Sequence, residues 1–159
     1  MLRIGQSTDI HPLRIGRDMV LGGVLIESDL GPDGHSDADV LTHAIAEAML
    51  GALALGDLGK HFPDTDPRYK GISSILLLQE VVLKVESLGW HLVNVDSLVL
   101  LEAPKLAKYN DAIRINLANA LHVSVDQVSV KATRGEKLGF IGRGEGIAAQ
   151  AVVLLEKNG

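Results

Sequence analysis

The sequence contains no cysteine. Disulfides, thiolate nucleophiles and cysteine-based zinc sites are excluded, so any metal must be held by nitrogen and oxygen. Aromatic residues are nearly as scarce, at 3%. A platform that stacks exposed bases needs more of them, so a bound nucleotide has to rest on backbone groups and aliphatic walls. There is no run of lysine and arginine, and the formal net charge is −5; both features argue against DNA or RNA as a partner. A small anionic ligand stays open, because a bound cation reverses the local field. Long hydrophobic runs are missing too. The longest, around residues 75–83, is broken by Gln79 and Glu80 and falls far short of the roughly 20 residues that cross a bilayer. Met1-Leu2-Arg3-Ile4-Gly5 lacks the apolar stretch of a signal peptide. The expectation is a soluble cytoplasmic protein with no membrane partner.

What is present is ample apolar material, 47% of 159 residues. That suits one compact domain over residues 1–159, able to bury roughly 68–70% of its unfolded surface. Residues 2–8 read as a strand leading into Asp9-Ile10-His11-Pro12, with Pro12 marking its end at a rim. Residues 19–26 read as a hairpin folded at Gly22-Gly23, a dipeptide suited to a tight primed turn. Val40, Leu41, Ala44, Ile45, Ala48 and Met49 recur at helical spacing. The helix they predict runs from Asp37 to about Ala54, with Ser36 or Asp37 placed to cap it. A loop follows from Gly56 to Gly71, then a helix from Ser73 or Ser74 to Leu88 that stops at Gly89. Residues 90–101 form a long strand, Asn110 caps a third helix ending near Leu121, and residues 128–133 and 146–155 are the last strands. The pattern predicts an α+β fold, a mixed β-sheet with helices packed on one face.

Three groups of residues carry chemistry. Asp9 and His11 lie two apart on a strand, so their side chains share a face; alone, they read equally as a surface pair at a strand end. His35-Ser36-Asp37-Ala38-Asp39 opens the first helix, where Ser36, Asp37 and Asp39 satisfy free N–H groups and complement the dipole. Helix capping leaves His43 unexplained, one turn in and beside the apolar stripe. Two imidazoles and a carboxylate are the ligand types of a catalytic zinc and equally of a non-haem iron oxygenase, and spacing alone does not separate the two. Asp57 sits between glycines, which allow close backbone approach to a ligand, whereas Asp64 and Asp66 also read as ordinary turn formers. Near the C-terminus the glycine-rich stretch 139–146 precedes a strand rather than a helix, so it is neither a Walker loop nor a dinucleotide fingerprint. Glu136 could hold Mg²⁺ through one carboxylate, with substrate phosphates and water completing the shell. No Ser–His–Asp arrangement is apparent and there is no thiol. An enzyme built this way takes its nucleophile from the substrate and works by positioning and charge stabilisation.

Taken in order, these motifs resemble the cyclodiphosphate synthases of the non-mevalonate isoprenoid pathway. The resemblance spans essentially the whole chain. It is carried by Asp9-Ile10-His11, by His35-Ser36-Asp37-Ala38-Asp39 with His43, and by Gly56-Asp57-Leu58-Gly59. Phe62-Pro63-Asp64-Thr65-Asp66, Ala103-Pro104-Lys105, Glu136-Lys137-Leu138-Gly139-Phe140 and Gly142-Arg143-Gly144-Glu145-Gly146 complete it. The order and spacing remove the oxygenase alternative.

The resemblance implies a metal-assisted phosphorus–oxygen lyase. In that family the 2-phosphate of 4-diphosphocytidyl-2-C-methyl-D-erythritol 2-phosphate attacks the β-phosphate and expels CMP. The resemblance makes Asp9, His11 and His43 zinc ligands and associates Glu136 with Mg²⁺ or Mn²⁺ at the diphosphate. It makes His35 and Ser36 phosphate contacts, His35 in a transition-state role. Asp57, with Leu58 and Gly59, falls on the ribose side, and Phe62, Pro63, Asp64, Thr65 and Asp66 lie over the erythritol. Leu101, Glu102, Ala103, Pro104, Lys105, Leu106 and Ala107 match one wall of a cytidine pocket; Ala132, Thr133, Arg134, Gly135 and Glu136 match the other. The family is homotrimeric with sites shared between subunits, and its axial cavity, near Phe140, Arg143 and Glu145, is a place for an isoprenoid diphosphate. The chain departs from the family at Arg134, where a threonine assigned to the transition state is usual; Arg134 is taken as a catalytic candidate in its place. Two other classes remain as alternatives: a trimeric metal-containing binder of isoprenoid diphosphates, and a metal-dependent phosphatase.

Overall fold

Alternation along the first strand sets the frame for the rest. In the computed structural model, which describes residues 1–157, strand β1 covers Leu2–Ile15. Gly5, Ser7 and Leu13 on it are buried, while Ile4, Gln6, Thr8 and Ile10 are exposed, the period of two expected of a strand covered on one side. After β1 come β2 (Met19–Leu21), β3 (Val24–Ile26) and β4 (Leu30–Pro32), then α1 (Val40–Ala52) and a short α2 (Leu58–His61). The chain continues through α3 (Ser74–Ser87), β5 (His91–Leu100), α4 (Asn110–Leu121) and β6 (Val128–Thr133). It ends in a one-turn α5 (Gly139–Gly142) and β7 (Gly146–Glu156). The main sheet has the order β4-β1-β7-β5-β6, and β2 and β3 form a separate hairpin. Only β5 and β6 run parallel; the pairs β1–β4, β1–β7 and β5–β7 are antiparallel. The fold is thus α+β with a mixed sheet, as the sequence pattern predicts.

Helix α1 is apolar nearly all round, with 10 of its 13 residues buried, which marks a helix enclosed on several sides. It packs on β1 and β7 and is covered in turn by α3. The approach to β1 is very close: a Cβ on Gly5 would lie 1.8 Å from the Ala48 carbonyl oxygen, so no side chain fits there. Ile45 and Leu50 of α1 are fully buried, and truncating either to alanine would cost about 2–5 kcal/mol. Helix α3 turns Leu77, Leu78, Val81, Val82 and Val85 inward, and α4 packs against α3 and β6. The opposite face of the sheet leaves Ile4, Ile10 and Val152 exposed.

Several boundaries differ from expectation, for tertiary reasons. Pro12 does not end β1, which continues to Ile15. It stands where the strand changes partner, from β7, paired as far as Pro12, to β4, paired from Leu13 onward. A missing N–H costs little at such a changeover. Helix α1 begins at Val40 and its cap is Asp39, not Ser36 or Asp37. The Asp39 carboxylate accepts the Thr42 N–H at 3.0 Å and its hydroxyl at 2.7 Å, and also the N–H groups of Gly22 and Gly23 at 3.0 and 2.7 Å. The cap is therefore also the anchor of the β2–β3 turn. Asn110 does not cap α4 but is its first residue, and its amide donates to the Val130 carbonyl at 2.6 Å. Within 56–71 the chain is not loop throughout, since Asp57 caps α2 and Asp66 caps a 3₁₀ turn at Pro67–Tyr69. A helical turn, α5, likewise precedes the last strand.

Candidate active site

Asp9 and His11 extend the inward-facing row of β1, and His43 faces them from α1. His11 Nε2 and His43 Nδ1 each lie 3.1 Å from the same oxygen, Asp9 Oδ2. One ligand atom from each of the three residues falls within 4.8 Å of the others, and all three side chains are only half-buried. The loop before α1 closes tightly on this group, since a Cβ on Gly34 would stand 2.9 Å from His11 Cε1.

The far nitrogens of the two rings decide what the near ones carry. His11 Nδ1 lies 3.0 Å from the Asp33 carbonyl oxygen; a carbonyl only accepts, so Nδ1 bears the proton. His43 Nε2 lies 2.7 Å from Ser74 Oγ and 3.1 Å from Ser36 Oγ. The Ser74 hydroxyl donates to Asp37 Oδ1 in a short hydrogen bond, which leaves Ser74 Oγ as an acceptor and puts the proton on His43 Nε2. In the neutral rings the two near nitrogens are then bare, and both aim lone pairs at a carboxylate oxygen. Three acceptors so close repel unless a proton or a cation lies among them. The donor set, two imidazoles and one carboxylate, is that of a zinc site with an open position. The residues therefore fit a divalent metal on their own geometry. Without a metal the protons supply the cation: burial opposes ionisation of Asp9, yet the hydrogen bonds and charges of His11 and His43 prevail and lower it to about 2. The Asp9 hydrogen bond in turn raises His11, against the effect of burial.

A cavity of about 400 Å³ opens beside this group. His35, Ser36, Leu58, Gly59, Phe62 and Asp64 line it, as the resemblance implies of a substrate cavity. Ser36 is also engaged locally, since its hydroxyl oxygen accepts the Ala38 N–H at 3.2 Å. Asp57, Pro63, Thr65 and Asp66 stand back from the wall. Asp57 caps α2 through the Lys60 N–H at 2.9 Å, and Asp66 is occupied by Arg68 at 2.6 Å.

A second cavity, of about 350 Å³, lies where β5 and β6 end. Leu101, Pro104, Lys105, Leu106 and Ala107 form one side, and Ala132, Thr133 and Arg134 the other. The two cavities share no lining residue. Glu102 points back into the fold and accepts the Gly135 N–H at 2.9 Å, while Ala103 is exposed. Arg134 and Glu136 are both exposed, with the guanidinium 3.9 Å from the Glu136 carboxylate. Glu136 lines neither cavity, and Phe140 and Arg143 lie outside both as well; Arg143 is paired with Glu145 at 2.8 Å.

Four residues of the site carry no role in the sequence pattern: Glu47, Tyr69, Ser74 and Leu77, the last an apolar part of the cavity wall. Glu47 lines the first cavity, and its carboxyl is pushed up by burial and by the charges of Asp57 and Asp9. Its position, four residues after His43, puts it on the same helix face, a signal that was legible. Tyr69, also on that wall, packs edge-on against Phe62 with ring centroids 5.4 Å apart. Ser74 was read only as a helix start, and nothing in its neighbours in sequence points to His43.

Comparison with known proteins follows the same lines. The family model described as the YgbB family matches residues 2–156. The 2-C-methyl-D-erythritol 2,4-cyclodiphosphate synthase of Natranaerobius thermophilus is 56% identical over 156 residues, which cover 98% of this chain and 99% of that one. Among solved structures, the bifunctional IspDF of Campylobacter jejuni superposes with a TM-score of 0.95 at 40% identity, over 99% of this chain; the match spans 43% of that longer protein. The CDP complex of IspF from Plasmodium falciparum gives a TM-score of 0.87 at 32% identity, over 99% of this chain and 97% of that one. Matched along almost its entire length by sequence and by fold, the chain belongs to the YgbB family.

Proposed function

We propose that this chain is a 2-C-methyl-D-erythritol 2,4-cyclodiphosphate synthase, releasing CMP and the cyclic diphosphate from 4-diphosphocytidyl-2-C-methyl-D-erythritol 2-phosphate. The observation that carries this reading is the convergence of Asp9, His11 and His43 beside a cavity of about 400 Å³, in a chain 56% identical to a relative named for that reaction. An oxygen of the 2-phosphate forms a bond to the β-phosphorus, the bond from that phosphorus to the bridging oxygen breaks, and the electron pair leaves with CMP. The attacking oxygen is already ionised near neutral pH, so the chain need not supply a strong base. Its task is to hold the two phosphates in line and to balance their charge.

In this reading Asp9, His11 and His43 would hold Zn²⁺, and Glu136 would hold Mg²⁺ or Mn²⁺. Both ions, when bound, supply Lewis-acid stabilisation of the phosphoryl oxygens. His35 donates to a phosphate from the rim of the first cavity. Phe62 and Leu58 wall off water around the erythritol, and Asp64 meets its hydroxyls. Lys105 and Arg134 meet the nucleotide phosphates from the second cavity, while backbone groups around Ala132 and Pro104 read the base. Three chains pack through the helix-free sheet face, where Ile4 is 71% exposed, and the second cavity of one chain completes the first cavity of its neighbour. No helix among the described residues is long and apolar enough to cross a membrane.

Incubation with the natural substrate, followed by phosphorus NMR, tests the reading. The expected products are CMP and a cyclic diphosphate. Release of inorganic phosphate would make the chain a phosphatase, and binding without turnover would make it a carrier.

A further inference from the structure

The metal-site reading explains why two imidazoles face Asp9 but not what fixes the His43 ring. His11 has a simple device, a backbone carbonyl at 3.0 Å that can only accept. His43 is turned instead toward two hydroxyls, Ser74 at 2.7 Å and Ser36 at 3.1 Å, and a hydroxyl accepts or donates with equal ease; the nearer, Ser74, sets the ring. Left free, Ser74 would let either ring nitrogen carry the proton, and a proton on Nδ1 would block that nitrogen as a ligand. Asp37 removes the ambiguity. Its Oδ1 takes the Ser74 hydroxyl proton, and its Oδ2 takes the Ser74 N–H at 3.0 Å, so both the rotor and the backbone of Ser74 are held. Ser74 is fully buried, and water does not compete for the oxygen. Asp37 is anchored as well, its own N–H donating to the Ile72 carbonyl at 3.1 Å. The relay therefore runs from a carboxylate through a hydroxyl to an imidazole; its two ends, Asp37 and His43, flank the start of α1, and its middle, Ser74, comes from beyond residues 56–71.

We infer that Ser74, oriented by Asp37, is a positioning residue of the metal centre: it takes the Nε2 proton of His43 and so reserves Nδ1 for the cation. The inference rests on the metal-site reading above. It also ties the first turn of α3 to the site, so that His43 is met by Ser36 from the segment before α1 and by Ser74 from the segment after residues 56–71.

Outer partners of ligating histidines typically change metal affinity 10- to 100-fold when removed. The test uses the full chain, stripped with a chelator and reloaded with Zn²⁺ or Co²⁺. Affinity is read by chelator competition, and the His43 ring proton by nitrogen-edited NMR. Ser74→Ala is expected to weaken binding about 10- to 100-fold and to lose the Nε2–H signal. Ser74→Thr, which keeps the hydroxyl, is expected to stay within about threefold, below that range. Ser74→Cys, close in size but a weaker acceptor, gives the same readout as alanine and serves if the alanine variant does not fold. Unchanged affinity with an unchanged Nε2–H signal in a folded Ser74→Ala or Ser74→Cys chain overturns the inference and leaves the metal site standing. A wild-type chain that binds no metal overturns both.

Discussion

The two cavities are built in opposite ways. Around the first, each polar side chain of the triad has a fixed partner: Asp9 the imidazoles of His11 on its own strand and His43 on α1, His11 the Asp33 carbonyl, His43 the Ser74 hydroxyl. Around the second, Lys105 and Arg134 are exposed, and a long-range side-chain bond nearby, Glu102 to the Gly135 N–H, shapes backbone rather than aiming a reactive group. The triad of the first site is thus fixed by contacts within one chain. The second offers charges on long stems and a backbone frame, which is how a surface looks when its geometry is completed by what it meets. Preorganised groups lose function steeply when one is removed, because the remainder cannot rearrange; loosely held ones lose it gradually.

The largest expected effect follows directly. His11→Ala and His43→Ala should each lose the bound zinc, about one ion per chain in the wild type, and activity with it. Elemental analysis checks this, and full retention in either variant would remove that histidine from the centre and with it the contrast between the cavities.

Next comes the division of labour between chains. If the two cavities combine across a subunit boundary, Asp9→Ala and Lys105→Ala damage different halves of one site. Co-refolding the two inactive chains should then give about a quarter of sites with both halves intact, seen as recovered turnover. A monodisperse monomer with full activity would break the idea.

Arg134 tests the looser side more gently. A contact between its guanidinium and a phosphate is typically worth roughly 1.5–3 kcal/mol, so Arg134→Ala should lower kcat about ten- to a hundredfold if the contact forms in the transition state. Unchanged kcat and KM would leave the arginine a bystander paired with Glu136.

The smallest effect concerns stability. The folded state raises the Glu47 carboxyl above its ordinary 4.5, through burial and the nearby charges of Asp57 and Asp9. A group raised by folding favours the folded chain below its unfolded pKa and loses that contribution as pH rises through the folded one. In the metal-free chain, Glu47→Gln should therefore raise Tm by a few degrees at neutral pH, and the gain should vanish below about pH 4. Thermal melts at the two pH values check it, and an equal shift at both would show that charge is not the cause.

Much of this was legible in the sequence, and the legible parts share a cause. The helix and strand of each long element followed from local periodicity, so β6 and the bulk of α1, α3 and α4 were read closely. The same-face geometry of Asp9 and His11 needs only the two-residue period of a strand. His43 stood out because a polar residue beside an apolar stripe has no local reason to be there. Glu47 was legible by the same logic and was passed over.

What the sequence determined by itself, then, is whatever depends on neighbours along the chain: the element types, the absence of thiol chemistry, and the shared face of Asp9 and His11. What only the tertiary structure decided depends on partners far away in sequence. Three residues before α1 could each cap it, and Asp39 does so because the β2–β3 turn brings two more N–H groups to its carboxylate. Pro12 looked like a strand end, and becomes a changeover because β4 lies alongside to take the strand on. Ser74 is 31 residues from His43 and carries no local signal of chemistry. Its role exists only because folding brings α3 against the start of α1, where a buried hydroxyl without water around it must take its proton partners from the chain itself.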